Sequence, residues 1–147
     1  MNAQVRRFIK TAFGFLILGL LLGLAMLAQR ELAGTWPPPY VISAHKHVIF
    51  IGFVMFMILG VALWIFPRPR EDDPRFRPAR IDLVYWLLLA GTLARFSGEL
   101  LRGYAGLDAL RWLILAGGLA QVAAFLLYIW TIWYRIRPAG RGRRVQP

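Results

Sequence analysis

The sequence contains no cysteine. That absence excludes disulfides, thiolate metal sites, iron–sulfur clusters and covalently attached heme, so any redox chemistry rests on a noncovalent cofactor. Acidic residues are scarce, 7 against 18 lysines and arginines, and histidine occurs only 2 times. Polar surface is short as well. Of 147 residues 59% are hydrophobic, and the mean hydropathy is +0.55, more apolar than a soluble domain of this length can be on its surface. The net charge of +11 does not read as a nucleic-acid site. The basic residues flank hydrophobic runs instead of forming a stripe, and no base-stacking motif accompanies them. They fit topology signals and contact with anionic lipid.

Long apolar runs are what the chain does have: about Phe8–Ala28, Ser43–Phe66, Leu83–Leu101 and Leu110–Tyr134. Each approaches or exceeds the roughly 20 residues a helix needs to cross about 30 Å of hydrocarbon. Arg6, Arg7 and Lys10 precede the first run, as in a signal peptide. The run is too long for such a peptide's apolar region and lacks an A-x-A cleavage pattern, so it reads as a retained span. The expected fold is all-α, an integral membrane four-helix bundle. A single transmembrane domain covers residues 1–137, and a basic, disordered cytoplasmic tail covers 138–147.

Lysine and arginine set the expected orientation. One side holds Arg6, Arg7 and Lys10, then Arg68, Arg70, Arg75, Arg77 and Arg80, then Arg135, Arg137, Arg141, Arg143 and Arg144; the other holds Arg30, Lys46, Arg102 and Arg111. Positive residues remain inside, which places both the N-terminus and the C-terminus in the cytoplasm, as for a multi-pass protein of a bacterial inner membrane. Interfacial aromatics agree, with Trp64, Tyr85, Trp86, Trp130, Trp133 and Tyr134 inside and Trp36, Tyr40, Tyr104 and Trp112 outside. The Trp36-Pro37-Pro38-Pro39-Tyr40 segment predicts a stiff, extended outer loop.

Small residues predict close helix contacts. Gly19 and Gly23 form a GxxxG pair; Ala90, Ala94 and Gly98 repeat at four-residue spacing, as do Ala116, Ala120 and Ala124. Such ridges serve a bundle interior or a homo-oligomer contact equally well.

Ionisable groups inside a span need a partner or a purpose. Three places qualify: His45-Lys46-His47 at the outer start of the second run, Arg95 with Glu99 in the third, and Gln121 in the fourth. Arg95 and Glu99, four residues apart, share a helix face and can pair. The runs alternate in direction, so this pair and the two histidines gather near one leaflet. A packing cluster bonded to itself and to water is the plain explanation. A metal or heme site is the functional one, because neutral imidazole is the commonest protein ligand for such centres. Histidines two apart on a helix point about 200° apart, so one faces the bundle and the other a loop or a second subunit. Gly52, seven residues beyond His45, would leave a flat surface on the same face for a porphyrin, which favours His45 as an axial ligand.

The run from His45 through Gly52 and Phe53 to Trp64-Ile65-Phe66-Pro67-Arg68 resembles the second transmembrane helix of the catalytic subunit of heme–copper oxidases, above all the cbb3-type oxidases and nitric oxide reductases. The resemblance implies an axial histidine for a low-spin heme b at His45, with Gly52 and Phe53 as the glycine–aromatic pair that follows it. Gly91 to Gly98, including Arg95, is similar to a segment of the heme- and copper-containing membrane proteins linked to nitric oxide tolerance. The chain departs from the oxidases in having four spans and no further histidine, so it implies a single b-type heme, or one shared between subunits, and not a complete binuclear centre.

The leading expectation is therefore a cytochrome b-like membrane protein for electron transfer or for binding nitric oxide or oxygen, if enzymatic a component of an oxidoreductase. His45 is the proximal ligand; the sixth stays open between His47 or His45 of another subunit, Met26, and no ligand at all, the last leaving the iron free to bind nitric oxide or oxygen. Arg95 would hold a propionate and Glu99 would hold Arg95. The expected partners are the bilayer, a second copy of the chain and a respiratory electron donor, with no nucleic acid. Two alternatives stay open. One is a copper site using His45, His47 and Met26 or Met55; the other is a non-catalytic accessory subunit of a respiratory complex.

Overall fold

The computed structural model describes residues 2–67 and 77–136. Arg68, Arg70, Arg75 and Arg137, and the tail 138–147, lie outside the described residues. Within them the chain is all-helical, and four helical segments are long and apolar enough to cross a membrane. α1 runs over Ala3–Ala33. The second span, Pro39–Ile65, comprises α2 (Pro39–His47), a π-helix (Val48–Met55) and α3 (Phe56–Ile65). α4 runs over Pro78–Ala105, and α5, after one 3₁₀ turn, over Arg111–Ile132.

Local chemistry sets these limits. The Asn2 side chain accepts the Val5 N–H at 2.9 Å and starts α1; Gly34 ends it at φ 63°, a left-handed cap that glycine takes at little cost. Gly106 does the same for α4 at φ 66°. Pro39 and Pro78 occupy first-turn positions, where a missing N–H and a fixed φ favour helix initiation. The second span thus begins earlier than its apolar run, and the extended segment before it is correspondingly shorter than the tryptophan–proline sequence suggests. α4 also outruns its apolar stretch at both ends, carrying Arg80, Asp82 and Arg102 to the interfaces.

The spans alternate in direction between two ends of the bundle, one bearing His45 and His47 and the other bearing the start of α1. α1 packs on the second span, the second span on α4, and α4 along α5. At the end away from the histidines, Phe8, Phe15, Phe56 and Tyr85 form an aromatic core with centroids 5.3–5.9 Å apart. Thr11 and Tyr85 share a hydroxyl hydrogen bond of 2.8 Å, and Arg7 pairs with Asp82 while lying over the Tyr85 ring. Outward, α1 presents Phe13, Ile17, Leu20, Leu21 and Leu24, all at least half exposed. Such a face suits lipid and not water.

Glycines fix the closest approaches. A Cβ at Gly19 would meet Ile49, and one at Gly23 would meet His45, so the GxxxG pair serves packing within the chain. Between α4 and α5 the decisive pair is Gly91 and Gly117: a Cβ on either would lie 2.7–2.8 Å from the other's carbonyl oxygen. The alanine ridges are partly displaced from this contact, with Gly98 and Ala124 buried but Ala90 and Ala116 exposed.

Candidate functional site

α2 delivers both histidines to one end of the bundle, immediately before the backbone widens into the π-helix. Eight residues of π geometry are long for a conformation that usually appears as a single turn and often marks functional sites.

His45 faces α1. Its ring lies on Gly23, where a Cβ would come within 2.9 Å of Cε1; only glycine admits the imidazole there. Nδ1 is buried with no hydrogen-bond partner, an arrangement that costs about 1–3 kcal/mol when nothing compensates it. The ring borders a cleft of about 300 Å³ lined by Gly23, Met26, Leu27, Arg30, Trp36, Pro37, Ile42 and His45. Arg30 is directed to Glu31 at 2.7 Å and lies 5.6 Å from the Trp36 ring. The cleft thus offers one imidazole and one thioether, with the Arg30 guanidinium as the one charged group amid otherwise apolar walls.

His47 faces α4. Its Nδ1 lies 2.8 Å from the Ser43 carbonyl oxygen and 3.3 Å from Glu99 Oε2. Donation of Nδ1–H to that carbonyl leaves Nε2 as the lone-pair nitrogen of the neutral ring. Glu99, 2% exposed, accepts from Arg95 Nε at 3.0 Å through Oε1. The expected Arg95–Glu99 pair is present, and its other neighbour is His47.

The sequence-predicted residues therefore separate into two groups. His45 and Met26 share the cleft against α1. His47, Arg95 and Glu99 form a polar chain between the second span and α4, and Arg95 Nη1 lies toward α5, 3.7 Å from the Cβ position of Gly118. Arg95 is thus not a residue of the His45 cleft. Gly52 faces α1 as expected, but the surface it leaves is filled: the Phe15 ring reaches 2.6 Å from the Cβ position. Gln121 donates to the Thr92 hydroxyl at 3.2 Å, a pairing that satisfies a buried amide inside the α4–α5 contact.

Sequence reasoning did not single out Ser43, which orients His47, or Trp36 and Arg30, which wall the cleft. Ser43 lies one turn before His47, a spacing that could have marked it; Trp36 and Arg30 are brought in by the turn at Gly34, for which periodicity gives no signal. Among the described residues, no three His, Asp or Glu side chains cluster as a metal site. Comparison with protein-family models, with curated proteins and with solved structures finds no match.

Proposed function

We propose that the chain is a multi-pass protein of a bacterial inner membrane that binds one b-type heme through His45 near the outer face. The observation that carries this reading is the half-buried His45 imidazole, whose Nδ1 is buried without a hydrogen-bond partner, beside Met26 in a cleft between α1 and α2. When bound, heme supplies one-electron exchange or a place for a diatomic gas, and an imidazole with a thioether is a known axial pair. The donor set fits. The volume, about 300 Å³, is at the lower end for small-molecule sites, so the far edge of the ring would extend beyond the cleft mouth, against lipid or a second copy. Gly52, Arg95, Glu99 and His47 play no part in that cleft. The weight of arginine and lysine at the start of the first span, in the second connection and after the fourth span supports an orientation with both termini in the cytoplasm.

Copper is the second reading, favoured by the same cleft. One nitrogen and one thioether suit the soft, monovalent ion, and a single ion needs far less room than a porphyrin. A reduced-minus-oxidised absorption spectrum with metal analysis of the purified protein decides. Heme gives a Soret band and iron, both lost in His45→Ala and kept in His47→Ala; copper without a Soret band selects the second reading. A protein with neither, or with a Soret band indifferent to His45→Ala, overturns the assignment.

A further inference from the structure

A second pocket lies on the opposite flank of the bundle. Between α4 and α5, Arg95 and Arg111 border a groove of about 370 Å³ whose other walls are Ile114, Leu115, Gly118, Leu119 and Val122. Two guanidinium groups in an apolar groove form a mismatched surface unless something anionic and apolar covers it. The acids nearby are committed. Glu99 takes Arg95 Nε at 3.0 Å, and Asp108 takes Arg102 at 2.8 Å. Arg95 Nη1 and Nη2 make no hydrogen bond among the described residues, where Arg111 has the Trp112 ring 5.4 Å away and no ion pair.

The geometry points to a phospholipid with a net-negative headgroup, seated with its phosphate between Arg95 and Arg111 and an acyl chain along Leu115, Leu119 and Val122. The spacing suits that occupant. Arg111 and Gly118 are seven residues apart, about 10 Å along α5, and Arg95 reaches the level of Gly118, so the two charges bracket a phosphodiester from above and below. A guanidinium matches phosphate oxygens in a fork of two hydrogen bonds. Gly118 supplies the notch: a Cβ there meets nothing within 4 Å except Arg95 Nη1 at 3.7 Å. The leucines and valine below are about half exposed or more, at 52%, 63% and 56%, and continue the groove toward the bilayer centre. Free phosphate would leave those walls uncovered, and a zwitterionic lipid would bring its own cation toward two arginines.

The test uses the full chain in detergent, incubated with mixed micelles of phosphatidylglycerol or phosphatidylcholine and examined by native mass spectrometry. Phosphatidylglycerol is expected to remain bound at one per chain in preference to phosphatidylcholine, and inorganic phosphate should not displace it. Arg111→Gln should lower its retention about tenfold, the weight of one charge-assisted contact, and Gly118→Leu, which fills the notch, should lower it as well. Both positions lie at the lipid-facing side of α5, so the helical circular-dichroism signal should not change. Equal retention of the two lipids, displacement by phosphate, or retention unaffected by either substitution overturns the proposal.

Discussion

His47 Nδ1 and Glu99 Oε2 approach to 3.3 Å across the contact between the second span and α4. Glu99 is the only buried acid among the described residues; its Oε1 accepts from Arg95, while Oε2 is buried with no hydrogen-bond partner, the His47 Nδ1–H being donated to the Ser43 carbonyl. A buried carboxylate bonded through one oxygen depends heavily on the single guanidinium that pairs with it.

Glu99→Ala is therefore expected to destabilise the bundle by about 2 kcal/mol, because it strands Arg95 and removes the neighbour of His47 at once. Glu99→Gln, which keeps a carbonyl for Arg95, should lose less. Denaturant titration in a fixed detergent, followed by tryptophan fluorescence, ranks the two. Equal losses would mean that the charge contributes nothing.

The α4–α5 crossing predicts an asymmetry among glycines. Gly91→Val and Gly117→Val should each cost about 2 kcal/mol or more, since the obstructing atoms are backbone carbonyl oxygens that cannot step aside. Gly14→Ala, where an added Cβ meets nothing within 4 Å, should be neutral or slightly stabilising in its helix. Thermal unfolding of the three variants in one detergent checks the order.

Met26→Leu separates the two ligands of the proposed cleft. The substitution conserves volume, so the fold should be unchanged while the absorption bands of the reduced heme shift. In a copper protein the metal content would fall instead. Spectra identical to the unaltered protein, with full metal content, would remove Met26 from the site.

Absence of cysteine makes orientation directly measurable. Thr35→Cys sits in the connection beside the histidines and Ala79→Cys at the opposite end of the bundle. An impermeant maleimide applied to intact cells should label the first and spare the second. The reverse pattern would invert the proposed topology.

How far the sequence discloses this protein depends on what each residue answers to. Spans are legible because hydrocarbon demands an apolar run of fixed length, and the Arg95–Glu99 pair is legible because it is local to one helix. The fate of Gly52 is not, since Phe15 comes from another helix and no spacing within the second span announces it. For the same reason the sequence places Arg95 near both histidines, whereas the fold sends His45 toward α1 and leaves Arg95 with His47. Gly91 and Gly117 escape a search for repeated small residues because each acts singly, against a carbonyl oxygen and not a ridge.

Arg135 donates to the carbonyl oxygens of Leu63, Phe66 and Pro67 at 2.9–3.0 Å, closing the end of the second span from beyond the end of α5. Arg135→Gln should cost about 2 kcal/mol by leaving those acceptors short of a donor, with Arg135→Lys recovering part of it in the same denaturant titration.

That bond also has a temporal side. The ribosome makes the second span well over sixty residues before it makes Arg135, so through most of synthesis the carbonyl groups at Leu63 and Phe66 must lean on water or headgroups. The residue that seals the second span is thus made only after the fourth, and a chain truncated just short of Arg135 should reach the membrane with these four spans yet remain open at that corner.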